Sequence, residues 1–348
     1  MDIYLTWFQI SVYRDHLRTM NYFFPGDFWM TNSMQNIGEW ITPVMKLFTW
    51  LGYPQAYMIL IAIIYWSFDR KLGLRMSIFL PVVSSFNSIL KQAFHGPRPY
   101  WLDPNIKAIH VSNGFGMPSG HAQATTVWLY MSSLLKRRWF WVMAITITLM
   151  VGLSRVYLGV HFSSQVVTGW LIGIMMVILF IRYESGFLKW FMDRKLNIQL
   201  LFITGISFLF LLLAWVFVFV LREWEIPLEW IRNSADDLAG KDESIISSIG
   251  LAATAGNTGG FMGAAIGALL SHRNGGFDPG GIWWKRLVRS IIGLLLFFAL
   301  YTSISWITPE ETQVALYAIW RFGAFFVISF SAIFLIPVLF LRINLVSR

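Results

Sequence analysis

Two histidines and three cations stand at fixed offsets in the first half of the chain. "KQAFHGPRP" puts Lys91 seven residues before Arg98, and Pro99 follows. "PSGH" runs from Pro118 to His121, and "SRVYLGVH" puts Arg155 six residues before His161. Arg98 and Arg155 offer planar donor forks that match phosphoryl oxygens, and Lys91 adds a point charge. Ser119 can cap a helix whose first free N–H groups, on Gly120 and His121, point outward at its positive end. Gly120 leaves room for an anion to come close. Two histidines can divide the work of nucleophile and general acid. No carboxylate cluster accompanies them, so no metal site and no cofactor are expected. The three cations can carry the charge neutralisation that Mg²⁺ supplies elsewhere.

Taken together, the three blocks resemble the type 2 phosphatidic acid phosphatase superfamily, which includes the vanadium-haloperoxidase-like acid phosphatases. Its pattern is Lys-x6-Arg-Pro, then Pro-Ser-Gly-His, then Ser-Arg-x5-His. The resemblance covers about residues 50–185. It implies that His161 attacks phosphorus and becomes phosphohistidine. It also implies that His121 protonates the leaving oxygen and later serves as base for water. Lys91, Arg98 and Arg155 would clamp the phosphoryl group, with Ser119 and Gly120 completing the cradle. The family pattern usually ends in Asp four residues after the nucleophile, and here Gln165 stands in that place. The glucose-6-phosphatase branch carries the same Gln. The "RPYW" at 98–101, a nine-span plan and an outward N-terminus are similar to that branch too.

Residues i and i+4 share a helix face, so Gln165 should meet the His161 imidazole. Its carbonyl oxygen can accept Nδ1–H, fix the tautomer and leave the Nε2 lone pair free. It supplies no charge, which costs about 1 kcal/mol against a charge-assisted bond, roughly a factor of five to ten in rate. An amide NH₂ turned to the ring would favour the wrong tautomer, and a comparable inversion in a serine-protease triad loses about 10⁴ in turnover. A slowed but working enzyme is the expectation. A carboxylate at 165 would raise the histidine pKa and move the pH optimum upward.

The elements that must position these residues read as membrane helices. The chain has 348 residues, 56% hydrophobic and 13% charged, where soluble domains have roughly a quarter charged. Apolar runs recur from end to end, which predicts an all-α polytopic transmembrane bundle of about nine spans. They lie near 50–68, 73–93, 119–135, 139–155, 162–181, 199–221, 245–270, 287–307 and 313–341. Residues 1–49 read as short interfacial helices broken at Pro25-Gly26 and Pro43. The opening "MDIYLTWFQISVYRDHL" lacks the pattern of a cleavable leader. The expected division is an interfacial segment (1–49), a membrane phosphatase core (50–185) and a four-span extension (186–348). In the extension, Gly256, Gly259, Gly260, Gly263 and Gly267 form overlapping small-xxx-small pairs. Close helix packing is the plainer reading of that stripe and a substrate groove the other.

Alternate loops would carry 16 of the 27 Lys and Arg on one side. The positive-inside rule places those loops in the cytoplasm and the motif loops outside, toward periplasm, exterior or lumen. A bacterial inner membrane suits this plan. The 18 Trp suit aromatic belts. A formal charge of +9 in short clusters between apolar runs does not point to nucleic acid. Without cysteine the chain has no disulfide and no thiolate ligand. His16 and His272 read as structural, and His95 and His110 as motif-loop residues near the substrate at most. The acidic stretch 223–243 reads as a solvated loop. Three functions follow. One is a metal-independent phosphatase on a lipid-linked phosphate. Another is the same chemistry on a small soluble phosphate ester such as a sugar phosphate. The third is a phospholipid binder or transporter that kept the clamp and lost turnover.

Overall fold

The computed structural model describes residues 25–110, 112, 114–235, 249–310 and 313–348. Expectations for 1–24, including His16, and for 236–248 lie outside the described residues.

In chain order the elements are α1 (Pro25–Gln35), a 3₁₀ turn (Glu39–Ile41), α2 (Thr42–Trp50), α3 (Pro54–Ser67), α4 (Arg70–Phe94), α5 (Pro99–Leu102), α6 (Gly120–Ala124) and α7 (Thr126–Leu135). There follow α8 (Arg138–Tyr157), α9 (Ser163–Met192), α10 (Leu196–Val220), α11 (Leu228–Ala235), α12 (Ala252–Arg273), α13 (Trp283–Ser305) and α14 (Val314–Phe330). A π-helical stretch (Ser331–Leu335) joins α14 to α15 (Ile336–Arg342). The protein is an all-α, integral, multi-pass membrane bundle.

Each of the nine predicted spans contains a helix among the described residues, but fewer meet the demands of a crossing. Six helical stretches are long and apolar enough, and the pair Glu39–Trp50 and Pro54–Ser67, bent by 51°, makes a seventh. Two predicted spans fall short for physical reasons. Residues 120–135 form two short helices that meet at Thr125. In α12, Gly, Asn, Ser and Thr dilute the hydropathy, and the helix is covered on most sides by protein. The outward faces of α10, α13 and α14 carry exposed Leu201, Leu295 and Ile319, as a lipid-facing surface requires.

Two apolar clusters hold the bundle. One joins α3, α4, α7 and α9 through Tyr57, Met76, Phe79, Val127 and Tyr130. The other joins α3 to the extension through Trp66, Ala264, Phe297, Ile328 and Phe340. The π-helical turn exposes carbonyls that α3 uses. Tyr65 Oη donates to Ile333 O and Trp66 Nε1 to Ala332 O, each at 2.8 Å. Carbonyls of the buried π-helical turn are thus satisfied by side chains of the core.

The basic loops collect at one end. Arg75 pairs with Glu184 at 2.7 Å, Ser67 Oγ donates to Arg286 O at 3.0 Å, and Arg273 Nη2 donates to Gln199 Oε1 at 2.8 Å. Asp69 caps α4 at this end by accepting from Leu72 N at 2.9 Å. The C-terminus of α4, the N-terminus of α6, the C-terminus of α8 and the N-terminus of α9 meet at the opposite end.

Candidate active site

Every motif residue sits where a helix starts or stops. Lys91 is in the last turn of α4, Arg98 precedes α5, and Ser119 is the N-cap of α6. Arg155 lies in the last turn of α8, and His161 stands just before the N-cap of α9. Helix ends leave backbone N–H and C=O groups unpaired, and these polar side chains are held largely by such groups. Gly159, at φ +72°, reverses the chain after α8 where a Cβ would meet Lys107 O at 2.4 Å. The turn sets Val160 and His161 back against Arg155, whose carbonyl accepts from both of their N–H groups.

Gln165 joins the three blocks. Its Oε1 lies 3.2 Å from His161 Nδ1 and accepts from Phe162 N at 3.2 Å, and its Nε2 donates to Pro97 O at 2.7 Å. Its backbone carbonyl accepts from Ser119 N at 3.0 Å. The orientation of the amide follows from its neighbours, since Pro97 O can only accept and Phe162 N–H can only donate. Oε1 therefore faces the ring, and Nδ1 carries the proton. Arg98 Nη1, a donor only, stands 3.4 Å from Nε2, so Nε2 carries no proton and its lone pair accepts a long bond from the guanidinium. A side chain at Gly116 would collide with Pro97 O at 2.6 Å and Gln165 Oε1 at 2.7 Å.

The cations line the same space. Arg98 is buried and donates to Gly114 O at 2.8 Å and Val160 O at 2.8 Å. Lys91 Nζ and Arg98 Nη2 both donate to Phe115 O. A Cβ on Gly120 would lie 3.9 Å from Lys91 Cε, so the "PSGH" turn and the lysine are neighbours. Arg155 is fully buried, with Nη1 on Thr49 Oγ1 at 2.6 Å and Nη2 on Ser112 Oγ at 2.9 Å. Among the described residues neither Lys91 nor Arg155 meets a carboxylate, and Arg155 Nε has no hydrogen-bond partner. Burial first, then the charges of Arg98, Lys91 and Arg155, hold the His161 imidazole well below the usual histidine range. It is therefore neutral at pH 7.

His121 opens α6 with its ring 5.0 Å edge-to-face from Tyr53. A Cβ on Gly52 would meet its Cδ2 at 2.7 Å. Its Nε2 is buried without a partner among the described residues, a costly state unless a ligand completes it. The charge of His121 also acts on His161, so both imidazoles share one electrostatic environment. Ser119 Oγ accepts from Ala122 N at a long 3.5 Å. His110 meets Tyr53 Oη at 2.6 Å, and His95 stacks edge-on with Trp224 at 5.2 Å. Among the described residues no three His, Asp or Glu side chains group as metal ligands.

Residues 70–189 match the PAP2 superfamily, and residues 255–348 match the transmembrane extension of PAP2 superfamily phosphatases. Phosphatidylglycerophosphatase B of Bacillus subtilis is 31% identical over 154 residues, which is 40% of this chain and 73% of that protein. The chain belongs to the PAP2 superfamily. Its PAP2 relatives also include an undecaprenyl-diphosphatase of Sulfolobus acidocaldarius, 28% identical over 33% of this chain and 57% of that protein. Glucose-6-phosphatase catalytic subunit 1 of Canis lupus familiaris is 25% identical over 74% of this chain and 78% of that protein. A phosphoric-ester hydrolase is the enzyme class that these PAP2 relatives support.

Several residues at the site carry no local signal. Asp27, buried on α1, accepts from Ser164 N at 3.0 Å and from Ser163 Oγ, and so caps the helix behind His161. Thr49 and Ser112 hold Arg155. Asn87 Nδ2 donates to Gln123 Oε1 at 2.7 Å and Pro118 O at 3.3 Å, and ties the "PSGH" turn to α4. Only the Asp after Pro25-Gly26 has a cue, as an acid in the first turn of a helix. Its partner lies 137 residues away.

Proposed function

We propose that the protein hydrolyses a phosphate monoester or pyrophosphate, carried on a lipid, at the non-cytoplasmic face of its membrane and without a metal ion. The carrying observation is the fixed tautomer of His161. Nδ1–H meets Gln165 Oε1, and Nε2 is left unprotonated with only a long bond from Arg98 to displace. In the reaction, the bound phosphate dianion offsets burial and the Arg155 and Lys91 charges that hold His121 low, so that His121 takes up a proton with the substrate. His161 Nε2 attacks phosphorus, the P–O bond to the leaving group breaks, and the His121 imidazolium delivers its proton to the departing oxygen. Water then attacks the phosphohistidine as His121 takes its proton, the P–N bond breaks, and phosphate leaves. Arg98, Arg155 and Lys91 neutralise the equatorial oxygens, with the open N–H groups of Gly120 and His121 beside them. Arg155 Nε and His121 Nε2, both unpartnered among the described residues, are suited to these contacts. The relatives named for phosphatidylglycerophosphate and undecaprenyl diphosphate support a lipid leaving group.

A second reading, hydrolysis of a soluble sugar phosphate, is favoured by Gln165 and by the glucose-6-phosphatase relative, which matches 74% of this chain. The test is phosphate release by the purified protein in EDTA from a panel of lipid and sugar phosphates, beside His161→Ala. Release from lipids supports the first reading and release from sugar phosphates alone the second. Tight phospholipid binding with no release selects a binder or transporter, and a requirement for Mg²⁺ overturns the mechanism.

A further inference from the structure

A partly open apolar space begins at the Gly120–His121 turn and runs into the bundle. It has a volume of ≈ 290 Å³, and Gly120 and His121 form one end. Small-molecule pockets start at about 300 Å³. α3 lines it from Pro54 to Tyr65 and α4 from Ser77 to Ser88. Twelve helical residues, eleven steps of about 1.5 Å, rise about 16 Å, roughly half of a hydrocarbon core about 30 Å thick. The cavity is therefore one leaflet deep.

Its far wall is the C-terminal extension. Gly256, Gly260 and Ala264 of α12 face it, with Phe297, Phe325 and Ile328 behind. The glycine stripe of α12 divides between two faces. A Cβ on Gly259 would sit 2.1 Å from Phe322 O, and one on Gly263 2.2 Å from Phe326 O, so these two let α14 approach. At Gly256 and Gly260 the nearest atoms are side-chain tips, Arg321 Nε at 3.3 Å and Ser329 Oγ at 3.5 Å. These glycines keep space open. Polar groups on the wall satisfy one another, with Asn257 Nδ2 on Ser88 Oγ at 3.1 Å and Ser88 Oγ on Ser84 O at 2.9 Å. Near Gly256, Arg321 Nε is buried without a hydrogen-bond partner among the described residues. The space is lined mostly by apolar side chains, and small residues keep it wide where the extension packs.

We propose that the cavity holds the apolar chain of the substrate, so that the extension closes a tail site whose mouth is His121. This rests on the lipid-phosphatase reading. A chain here emerges from the oxygen that His121 protonates, on the side of phosphorus away from His161. Arg321 would meet a carbonyl or hydroxyl near the head group. Each buried methylene is worth about a fourfold gain in affinity, so kcat/KM should climb with chain length.

The test combines two measurements on the full-length protein in mixed micelles. First, kcat/KM is compared for monoacylglycerol phosphates with four-carbon and sixteen-carbon chains. The expected long-to-short ratio is at least 100 for wild type, falling at least tenfold in Gly260→Leu. Second, a sixteen-carbon lipid phosphate with a diazirine near the chain end is photolysed on wild-type protein and the adducts mapped. Labels are expected on α3, α4 and α12 at the cavity, displaced by unlabelled lipid phosphate and not by phosphatidylcholine. A ratio near one in wild type, or unchanged in folded Gly260→Leu, overturns the tail site. Labels confined to outward residues such as Leu201 and Leu295 overturn it as well. Absence of any phosphate release, with the labels in the cavity, overturns the phosphatase reading and leaves the tail site standing.

Discussion

The catalytic end and the α12–α14 contact are built from opposite materials. At the catalytic end, buried Arg98, Arg155, His161 and Gln165 are held by hydrogen bonds to carbonyls and hydroxyls from distant segments. At the α12–α14 contact, Gly259 and Gly263 bring backbones together. The first region specifies angles and tautomers, which hydrogen bonds do well. The second specifies distance, which small residues do well. Chemistry should therefore fail sharply when one polar atom at the catalytic end changes. Stability should fail when volume is added to the contact.

The sharpest break of that contrast is His161→Ala, expected to lower phosphate release by on the order of 10⁴-fold or more, as loss of a nucleophile does. Its thermal unfolding in detergent should match wild type. Next is Arg98→Lys, which keeps the charge and loses the fork that spans Gly114 O and Val160 O. A loss of about 10²–10³ in kcat is expected from single-turnover rates.

Gln165→Glu sharpens the contrast further. From the sequence alone, a carboxylate at 165 raises the histidine pKa and moves the optimum upward. The Pro97 carbonyl reverses that expectation. A Glu oxygen would face Pro97 O, two acceptors with no proton between them, in a buried site that favours the neutral acid. Protonated Glu restores the donor. The variant should lose roughly tenfold or more at pH 7, the cost of an unmade buried hydrogen bond, and recover toward lower pH. Wild type should keep the acid limb of its kcat/KM profile below the ordinary histidine range near pH 6.5. The lowered His161 pKa keeps Nε2 unprotonated as pH falls. A wild-type limb near 6.5 would contradict the burial and charge described for His161.

The smallest catalytic effect belongs to the contact region. Gly263→Leu forces a side chain against Phe326 O and should cost about 1–3 kcal/mol of stability by overpacking, read as a lower unfolding temperature in detergent. Gly205→Leu, on an α10 position with open space around it, should change neither stability nor rate.

The convergence of the candidate site was legible because the motif side chains stand at spacings that helix ends impose. Lys91, Arg98, His121, Arg155 and His161 carry that signal in their types and spacing. Their supports do not. Asp27, Thr49 and Ser112 are ordinary polar residues whose partners come from far along the chain. Gln165 is an intermediate case, since its i+4 spacing pointed to His161 but nothing local pointed to Pro97. The glycines of α12 were visible as a stripe. A helical period alone could not say which face meets α14 and which lines the cavity. Two of the nine expected spans miss the length and hydropathy of a crossing because a run of apolar residues does not reveal a break at Thr125, or an α12 sheltered by protein.

The most direct test of the central claim is to trap the phosphoenzyme. A ³²P-labelled lipid phosphate is mixed with the protein in EDTA, quenched within milliseconds and digested for mapping. Label that is stable in alkali, labile in acid and located on His161 is the predicted result, with none on His161→Ala. Label on another residue, or turnover with no covalent intermediate and full activity in His161→Ala, would contradict the account.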